Sequence, residues 1–114
     1  MSDCLFCRIV AGEIPSDCLY SDEHLYAFRD INPCAPHHIL LIPRKHITSV
    51  AHLQPEDESV MGKLLLTASR IAEQQGFASD GYRCVINTGD DGGQTVHHFH
   101  LHIVAGRQMT WPPG

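Results

Sequence analysis

The stretch VHHFHLHIV at residues 96–104 constrains the fold more than any other part of the chain. From residue 98 onward, histidines occupy every second position, and the residues between them are apolar. Successive side chains of a β-strand point to opposite faces of a sheet, so this alternation predicts a strand with an imidazole face and an apolar face. We expect the apolar face to pack on a helix and the other face, His98, His100 and His102, to form the floor of a site.

Other segments predict the rest of an α+β domain. A short helix is expected at residues 4–11, and one long helix at residues 60–72, where apolar residues recur at helical spacing before the stop signal Gly76. Strands are expected as a hairpin at residues 18–22 and 25–31, centrally at residues 37–43, and at residues 82–87. Together these elements predict a mostly antiparallel five-stranded sheet in a single domain covering residues 1–114.

Composition limits the classes of partner. Eight Lys and Arg residues and a net charge of -5 argue against a nucleic-acid polymer, whose binding needs a basic surface. No apolar run reaches the length of a membrane span and no signal peptide is visible, so we expect a cytoplasmic protein without membrane contact. Five cysteines make a disulfide framework a poor interpretation, and we expect Cys18, Cys34 and Cys84 in or near the core.

The histidine face predicts chemistry at neutral pH. An imidazole can act as nucleophile, acid, base or metal ligand, because both protonation states exist near its reference pKa. A lone histidine is more often structural, whereas three alternating ones favour a functional site. The loop GDDGGQT at residues 89–95 leads directly into them, and its glycines would let backbone N–H groups approach an anion. This order of loop and strand favours phosphate chemistry.

Three motifs together resemble a known family. The segments GGQTVHHFHLHIV and AFRDINPCAPHHILLIPRKHI are similar to the two diagnostic segments of the histidine triad (HIT) superfamily. The closing AGRQMTWPPG resembles the tail of its Hint branch, the purine nucleoside phosphoramidases. The resemblance implies the HIT fold, with one long and one short helix and a sheet extended across a homodimer. It also implies an enzyme that hydrolyses the P–N bond of adenosine or guanosine 5'-phosphoramidates.

The resemblance also implies which residues react. His100 matches the nucleophile that forms a covalent nucleotidyl-histidine, which water then hydrolyses. His102 matches the residue that contacts phosphoryl oxygens, and His38 matches an outlying histidine that helps to orient the site. His98 is the first histidine of the triad. Thr95 stands where many relatives carry serine, so its hydroxyl is retained as a donor near the leaving group.

The same resemblance implies a purine nucleotide pocket. Asp30 would bind the ribose hydroxyls as a carboxylate acceptor, and Ile31 would line the sugar. An apolar slot for the base would be formed by Phe6, Ile9, Ile14, Phe28 and Leu40, any of which could equally be plain core. Contacts around the phosphate would come from Asn87, Gly93, Gln94, Thr95, Val96, His100 and His102. Trp111 would reach the active site of the other subunit.

A metal site is the remaining expectation. Cys4 and Cys7 form a C-x-x-C pair, which can chelate one ion but is only suggestive by itself. Zinc-bearing members of the family pair such cysteines with two histidines, here His46 and His98, so the resemblance implies a structural zinc and no organic cofactor. The alternatives are two buried thiols beside a hydrogen-bonded His98, and, more weakly, a redox pair.

Two other functions stay open on spacing alone. The first is a metal-dependent hydrolase in which His98, His100 and either His102 or His38 hold a catalytic ion with an open water position. The second is a regulatory protein that binds purine nucleotides with negligible turnover. Trapping of an adduct on His100, chelation and replacement of His100 distinguish these two from the phosphoramidase.

Overall fold

A computed structural model describes residues 3–114 and contains two helices and five strands. The helices are α1 (Leu5–Val10) and α2 (Glu58–Gln75). The strands are β1 (Cys18–Ser21), β2 (Leu25–Arg29), β3 (His37–Pro43), β4 (Tyr82–Val85) and β5 (Leu101–Ala105). All four neighbouring pairs are antiparallel, in the order β1-β2-β3-β5-β4. The α+β prediction with five strands, one long helix and one short helix is therefore confirmed.

The sheet carries a helix on each face. On one face, Leu64, Ala68 and Ile71 of α2 pack against a cluster that includes Ile39 and Leu41 of β3. On the other face, α1 contributes Phe6 and Ile9 to a smaller cluster with Phe28, Leu40 and Ile42. Because β3 is buried on both faces, its sequence is continuously apolar rather than alternating. The second, smaller cluster adjoins the histidine face and leaves room there for a cavity.

Two short 3₁₀ turns, Val50–His52 and Pro55–Asp57, precede α2 and were not predicted from the sequence. Asp57 accepts a hydrogen bond from the backbone N–H of Gln54 at 2.9 Å and pairs with Lys45 Nζ at 2.7 Å. These contacts fix the chain direction into α2. Gly76 ends the helix at φ 85°, a left-handed conformation that glycine adopts without steric cost.

The strand predicted at residues 96–104 is wrong at its start, because β5 begins only at Leu101. The partner strand β3 ends at Pro43, which has no N–H to continue a ladder, and the N–H of Phe99 donates instead to Ile47 O at 2.6 Å. The side-chain alternation still holds across this bend. Phe99, Leu101 and Ile103 lie in the α2 cluster, while Phe6 of α1 packs against the rings of His98 and His100.

The expectation for three cysteines is also wrong. Cys18, Cys34 and Cys84 are exposed. Cys18 and Cys84 lie on the two edge strands, and Cys34 lies in the loop between β2 and β3, where backbone leaves the core.

The strands also end earlier than predicted at Ser21, Arg29 and Val85. No helix within residues 3–114 is long and apolar enough to cross a bilayer.

Candidate active site

His100 is held in one tautomer by its own backbone neighbour. Its Nδ1 lies 2.7 Å from the carbonyl oxygen of His98, which can only accept a hydrogen bond. Nδ1 therefore carries the proton, and Nε2 keeps an unprotonated lone pair. The ring is 5% exposed and packs edge-on against Phe6, with the centroids 5.2 Å apart. This is the geometry that a nucleophilic imidazole needs, and its carbonyl partner could not be identified from the sequence.

A hydrogen-bond relay fixes the tautomer of His102. The backbone N–H of Cys34 donates to His38 Nδ1 at 3.1 Å, so the proton of His38 sits on Nε2. His38 Nε2 lies 2.9 Å from His102 Nδ1 and donates to it. His102 consequently carries its proton on Nε2. Within the described chain, this buried Nε2 has no hydrogen-bond partner. A buried donor without a partner is costly, so it marks a place for an acceptor from a ligand.

Both members of the relay are neutral near pH 7. Burial, aided by His100 and His38 and opposed by Asp30, lowers the pKa of His102 to about 4. Burial also lowers the pKa of His38, again against the opposing charge of Asp30. Neutral rings are required for the relay, because each Nδ1 must accept a hydrogen bond. Asp30 Oδ2 lies 3.5 Å from His38 Nε2 and is the nearest negative charge to the relay.

A cavity of about 420 Å³ opens in front of His100 and His102. Its apolar wall is made by the side chains predicted for the base slot, namely Phe6, Ile9, Ile14, Phe28 and Leu40. Asp30 and Ile31 lie at its rim, and Thr95 and Val96 line it beside the histidines. Eleven residues predicted from the resemblance therefore lie around one cavity, which has the size of a small-ligand pocket.

The loop before the histidines is arranged differently from the prediction. The Gln94 amide bonds to backbone groups. Its Nε2 donates to Val96 O at 3.0 Å and to Thr48 O, in the segment after β3, at 2.7 Å, and its Oε1 accepts from the N–H of Gly89 at 3.0 Å. The N–H of Gly93 is likewise bonded, to Asp90 O at 3.0 Å. Gln94 therefore shapes the loop, and neither residue lines the cavity.

Asn87 and Gly92 line a second cavity on the other side of His102, together with His38. A Cβ atom on Gly92 would lie 2.3 Å from Thr88 O. Only glycine therefore allows the backbone at residue 92 to pass this close to the backbone of Thr88. Trp111 is 83% exposed and lines neither of these cavities in the single chain. The structure thus separates Trp111 from the other predicted site residues.

A second cluster lies behind the site. Cys4 Sγ is 3.3 Å from His98 Nδ1, and Cys7 Sγ is 3.5 Å from the same atom and 3.4 Å from His46 Nδ1. All four ligand atoms lie within 4.8 Å of one another. His98 Nε2 is 2.8 Å from the carbonyl oxygen of Pro43, so the proton sits on Nε2 and Nδ1 faces the thiols with its lone pair. Burial lowers the pKa of His98, the Pro43 hydrogen bond opposes this, His46 and His100 add to it, and the result is a pKa of about 4.

Comparison with known proteins agrees with this arrangement. The family model described as HIT domain matches residues 11–109. The chain belongs to the HIT domain family. It is 48% identical to an uncharacterized HIT-like protein of Synechococcus elongatus over 112 residues, which cover 98% of this chain and 97% of that protein.

Solved structures of HIT proteins superpose closely on this one. A HIT family hydrolase from Legionella pneumophila Philadelphia 1 has a TM-score of 0.96 and 46% identity, and the match covers 98% of this chain and all of that chain. A histidine triad nucleotide-binding protein from Candida albicans has a TM-score of 0.84 and 28% identity, with coverage of 96% and 83%.

The site also contains residues that were not predicted from the sequence. Leu5, Pro15 and Asn32 line the cavity in front of His100. Pro15 and Asn32 directly follow the predicted Ile14 and Ile31 in the sequence. This adjacency could have predicted that they also line the cavity. Arg83 and Arg107 line the second cavity, and they are 24 positions apart in the sequence. Only the packing of the chain after β5 beside β4 brings these two arginines together.

Proposed function

We propose that this HIT domain hydrolyses purine nucleoside 5'-phosphoramidates through a covalent adduct on His100. The observation that carries the proposal is the 2.7 Å hydrogen bond from His100 Nδ1 to His98 O. It leaves Nε2 with an unprotonated lone pair beside the cavity. Nε2 attacks the α-phosphorus and forms a P–N bond to the ring, while the P–N bond to the leaving amine breaks. The amine leaves with a proton that the Thr95 hydroxyl relays from solvent, the donor role that the resemblance implies for this residue.

Water completes the reaction. It attacks the same phosphorus, the bond to His100 Nε2 breaks, and the nucleoside monophosphate leaves with the oxygen of the water. The proposed partner for a phosphoryl oxygen throughout is His102 Nε2–H, the buried donor that has no partner within residues 3–114. Because the relay from Cys34 through His38 fixes that proton in advance, little reorganisation is needed as charge develops on the phosphoryl group.

The cavity supplies recognition of the nucleoside. A flat base would be buried between Phe6, Phe28 and Leu40, which gives affinity with modest base selectivity. Asp30 would accept hydrogen bonds from the ribose hydroxyls, because an ionised carboxylate accepts several donors. Relatives named as a HIT family hydrolase and a histidine triad nucleotide-binding protein support this assignment. The narrower phosphoramidase activity rests on the resemblance of the motifs to the Hint branch.

The test is to trap the adduct. Acid-quenched mass spectrometry during turnover of adenosine 5'-phosphoramidate should reveal a chain heavier by one nucleoside monophosphate, with the label on His100. His100→Ala should reduce hydrolysis by about a thousandfold or more while nucleotide affinity changes only a few-fold. The exposed neighbour His97 is the matched control, and His97→Ala should keep near-wild-type turnover.

The competing functions give different results in the same experiment. Activity that chelation abolishes and added metal restores, without an adduct, would support a metal-dependent hydrolase. Tight nucleotide binding without turnover or adduct would support a regulatory binding protein. Either result would refute His100 as the nucleophile.

We further propose that Cys4, Cys7, His46 and His98 hold a structural zinc. Tetrahedral zinc with thiolate and imidazole ligands separates its ligand atoms by about 3.4 to 3.8 Å. Three sulfur–nitrogen separations in the structure, 3.3 to 3.5 Å, are close to these values, and all four ligand atoms lie within 4.8 Å of one another. Bound zinc would join α1 to the segment that carries His100, and it would close its coordination with protein ligands alone. Elemental analysis should find about one zinc per chain, and Cys7→Ser should lower both this content and the melting temperature. A metal-free protein with reduced cysteines would contradict the proposal.

A homodimer is the third proposal. Leu65 and Leu66 are 58% and 62% exposed on α2, and Ile86 follows the edge strand β4, whose outer side has no strand partner within the described chain. Exposed apolar residues beside an open edge are typical of an interface. Sedimentation at micromolar concentration should show a dimer that Leu66→Glu converts to monomer. Gln74→Glu, an exposed change on the same helix that is turned away from Leu65, is the control. A monomeric wild type would refute the dimer and the proximity of Trp111 to a partner's site.

A further inference from the structure

The second cavity adjoins the reacting centre. It has a volume of about 520 Å³ and shares His102 with the cavity in front of His100. Its remaining walls include His38, Asn87 and Gly92, and the chain after β5 closes it through Met109 and Pro113. A phosphoryl group bound by His102 Nε2 would therefore have this second cavity beside it. One cavity takes the nucleoside, and the other is available to the group that leaves.

Two arginines line the second cavity, Arg83 and Arg107. None of its lining residues is Asp or Glu, and the backbone carboxylate of Gly114, which also lines it, is not paired with either guanidinium. Within residues 3–114, no carboxylate lies within 4.0 Å of either guanidinium, whereas Arg8, Arg29 and Lys45 are all paired with acids. Two unpaired guanidinium groups in one concave site are unusual for a chain with a net charge of -5. The charge at this place is available to a ligand.

Backbone contacts hold both arginines without using up their donors. Arg83 Nη2 donates to Thr110 O at 2.8 Å, and Arg107 donates through Nε to Cys34 O at 3.3 Å and through Nη1 to Gln108 O at 3.4 Å. A guanidinium has five N–H donors, so each group keeps at least three for another acceptor. Carbonyl partners orient a guanidinium without neutralising it. The arrangement suits recognition of a carboxylate or phosphate, which a guanidinium binds through paired hydrogen bonds.

We propose that this cavity binds an anionic group on the leaving amine, so that the preferred substrates are nucleoside phosphoramidates whose amine carries a carboxylate or a phosphate. The proposal rests on the phosphoramidase function and narrows its substrate class. Arg83 and Arg107 are the specificity-determining residues. They bind the leaving group at a distance from the phosphorus that reacts with His100.

The test compares matched amines. The substrates are the adenosine 5'-phosphoramidates of β-alanine, of β-alaninamide and of 2-aminoethyl phosphate, which carry a carboxylate, a neutral amide and a phosphate. Arg107→Gln, Arg83→Gln and the double variant are compared with wild type. For each protein, kcat/KM for an anionic substrate is divided by kcat/KM for the neutral substrate. Comparing this ratio between variant and wild type cancels the intrinsic differences between the amines. A difference between the carboxylate and phosphate ratios distinguishes the two anions.

The double variant should lower this ratio by about tenfold, the effect of losing charge-assisted hydrogen bonds at a partly exposed site. Arg70→Gln, an exposed arginine on α2, should keep the wild-type ratio. Raising the salt concentration should also reduce the preference, because exposed charges are screened. Ratios that stay equal in wild type and the double variant would overturn the proposal. If Arg83→Gln loosens the chain at Thr110 and lowers the melting temperature, the exposed Arg107→Gln alone decides.

Binding separates this proposal from the proposed reaction. Calorimetry of the same three compounds is carried out on His100→Ala, with and without the Arg107→Gln change. A carboxylate or phosphate preference that Arg107→Gln removes would support the cavity even if no substrate is ever turned over. Hydrolysis through an adduct on His100, with no effect of the arginines on the ratio, would leave the reaction standing and refute the anionic subsite.

Discussion

Acidification should destabilise the fold through His102 in a calculable way. Burial, together with His100 and His38 and against Asp30, lowers the pKa of His102 from its ordinary value of 6.5 to about 4. The unfolded chain then binds more protons than the folded one between these two values. His102 therefore contributes its stabilisation fully above about pH 6.5, and this contribution is lost as the pH falls toward 4.

The magnitude follows from the same two pKa values. Between about pH 7 and pH 5, a shift of this size removes about 2 kcal/mol from the free energy of unfolding. His102 is partly exposed, so solvent screening reduces the expected loss to about 1 kcal/mol. Urea unfolding of wild type and His102→Gln at both pH values measures it, with zinc held constant so that His98 affects both proteins equally. The variant should lose about 1 kcal/mol less on acidification.

His24→Gln is the control, because His24 is exposed and its one ion pair within residues 3–114 is a 3.9 Å contact with the exposed Glu23. It should show the wild-type dependence on pH. Equal pH dependence of wild type and His102→Gln would refute the assignment of His102 as a neutral imidazole in the folded protein, and with it the relay that sets its tautomer.

Three further changes test the site. Phe6→Ala should cost about 3 kcal/mol of stability, measured by thermal unfolding, because it removes a buried ring that packs edge-on against Phe28 at 5.5 Å. It should also weaken adenosine binding, measured by calorimetry, by about tenfold. Asp30→Asn should abolish most of the preference for ribose over 2'-deoxyribose substrates, read from the ratio of their kcat/KM values. Gly92→Ala should lower kcat/KM by about tenfold or more with a smaller effect on nucleoside affinity, because its Cβ would displace the backbone of Thr88 beside the second cavity.

Most of the fold could be predicted because its signals are local. The continuous apolar run of β3, the helical spacing of α2 and the alternation around His100 are each visible within a few residues. The start of β5 could not be predicted, since it depends on the carbonyl of Ile47 capturing the N–H of Phe99. Alternation reports which way side chains point, and it does not report which backbone groups pair.

The site was predictable to the extent that its chemistry follows from residue type. The apolar residues and the carboxylate predicted by resemblance lie around the cavity, whereas Gln94, predicted to contact the phosphate, does not line it. An amide side chain is equally able to bind a ligand or the surrounding backbone, and here three hydrogen bonds join it to backbone groups. Arg83 and Arg107 could not be predicted as site residues, because neither belongs to a motif and their shared cavity exists only after folding.

Three histidines on one face come to differ because each has a different hydrogen-bond partner. A carbonyl acceptor at Nε2 leaves His98 with a lone pair on Nδ1 toward the thiols, and a carbonyl acceptor at Nδ1 leaves His100 with a lone pair on Nε2. A donor at Nδ1 leaves His102 with a proton on Nε2. The same type of side chain is thus suited to three proposed roles: metal ligand at His98, nucleophile at His100 and hydrogen-bond donor at His102. His38 matters for this reason, because without its donated hydrogen bond His102 could move its proton to Nδ1 and present a lone pair, which repels a phosphoryl oxygen.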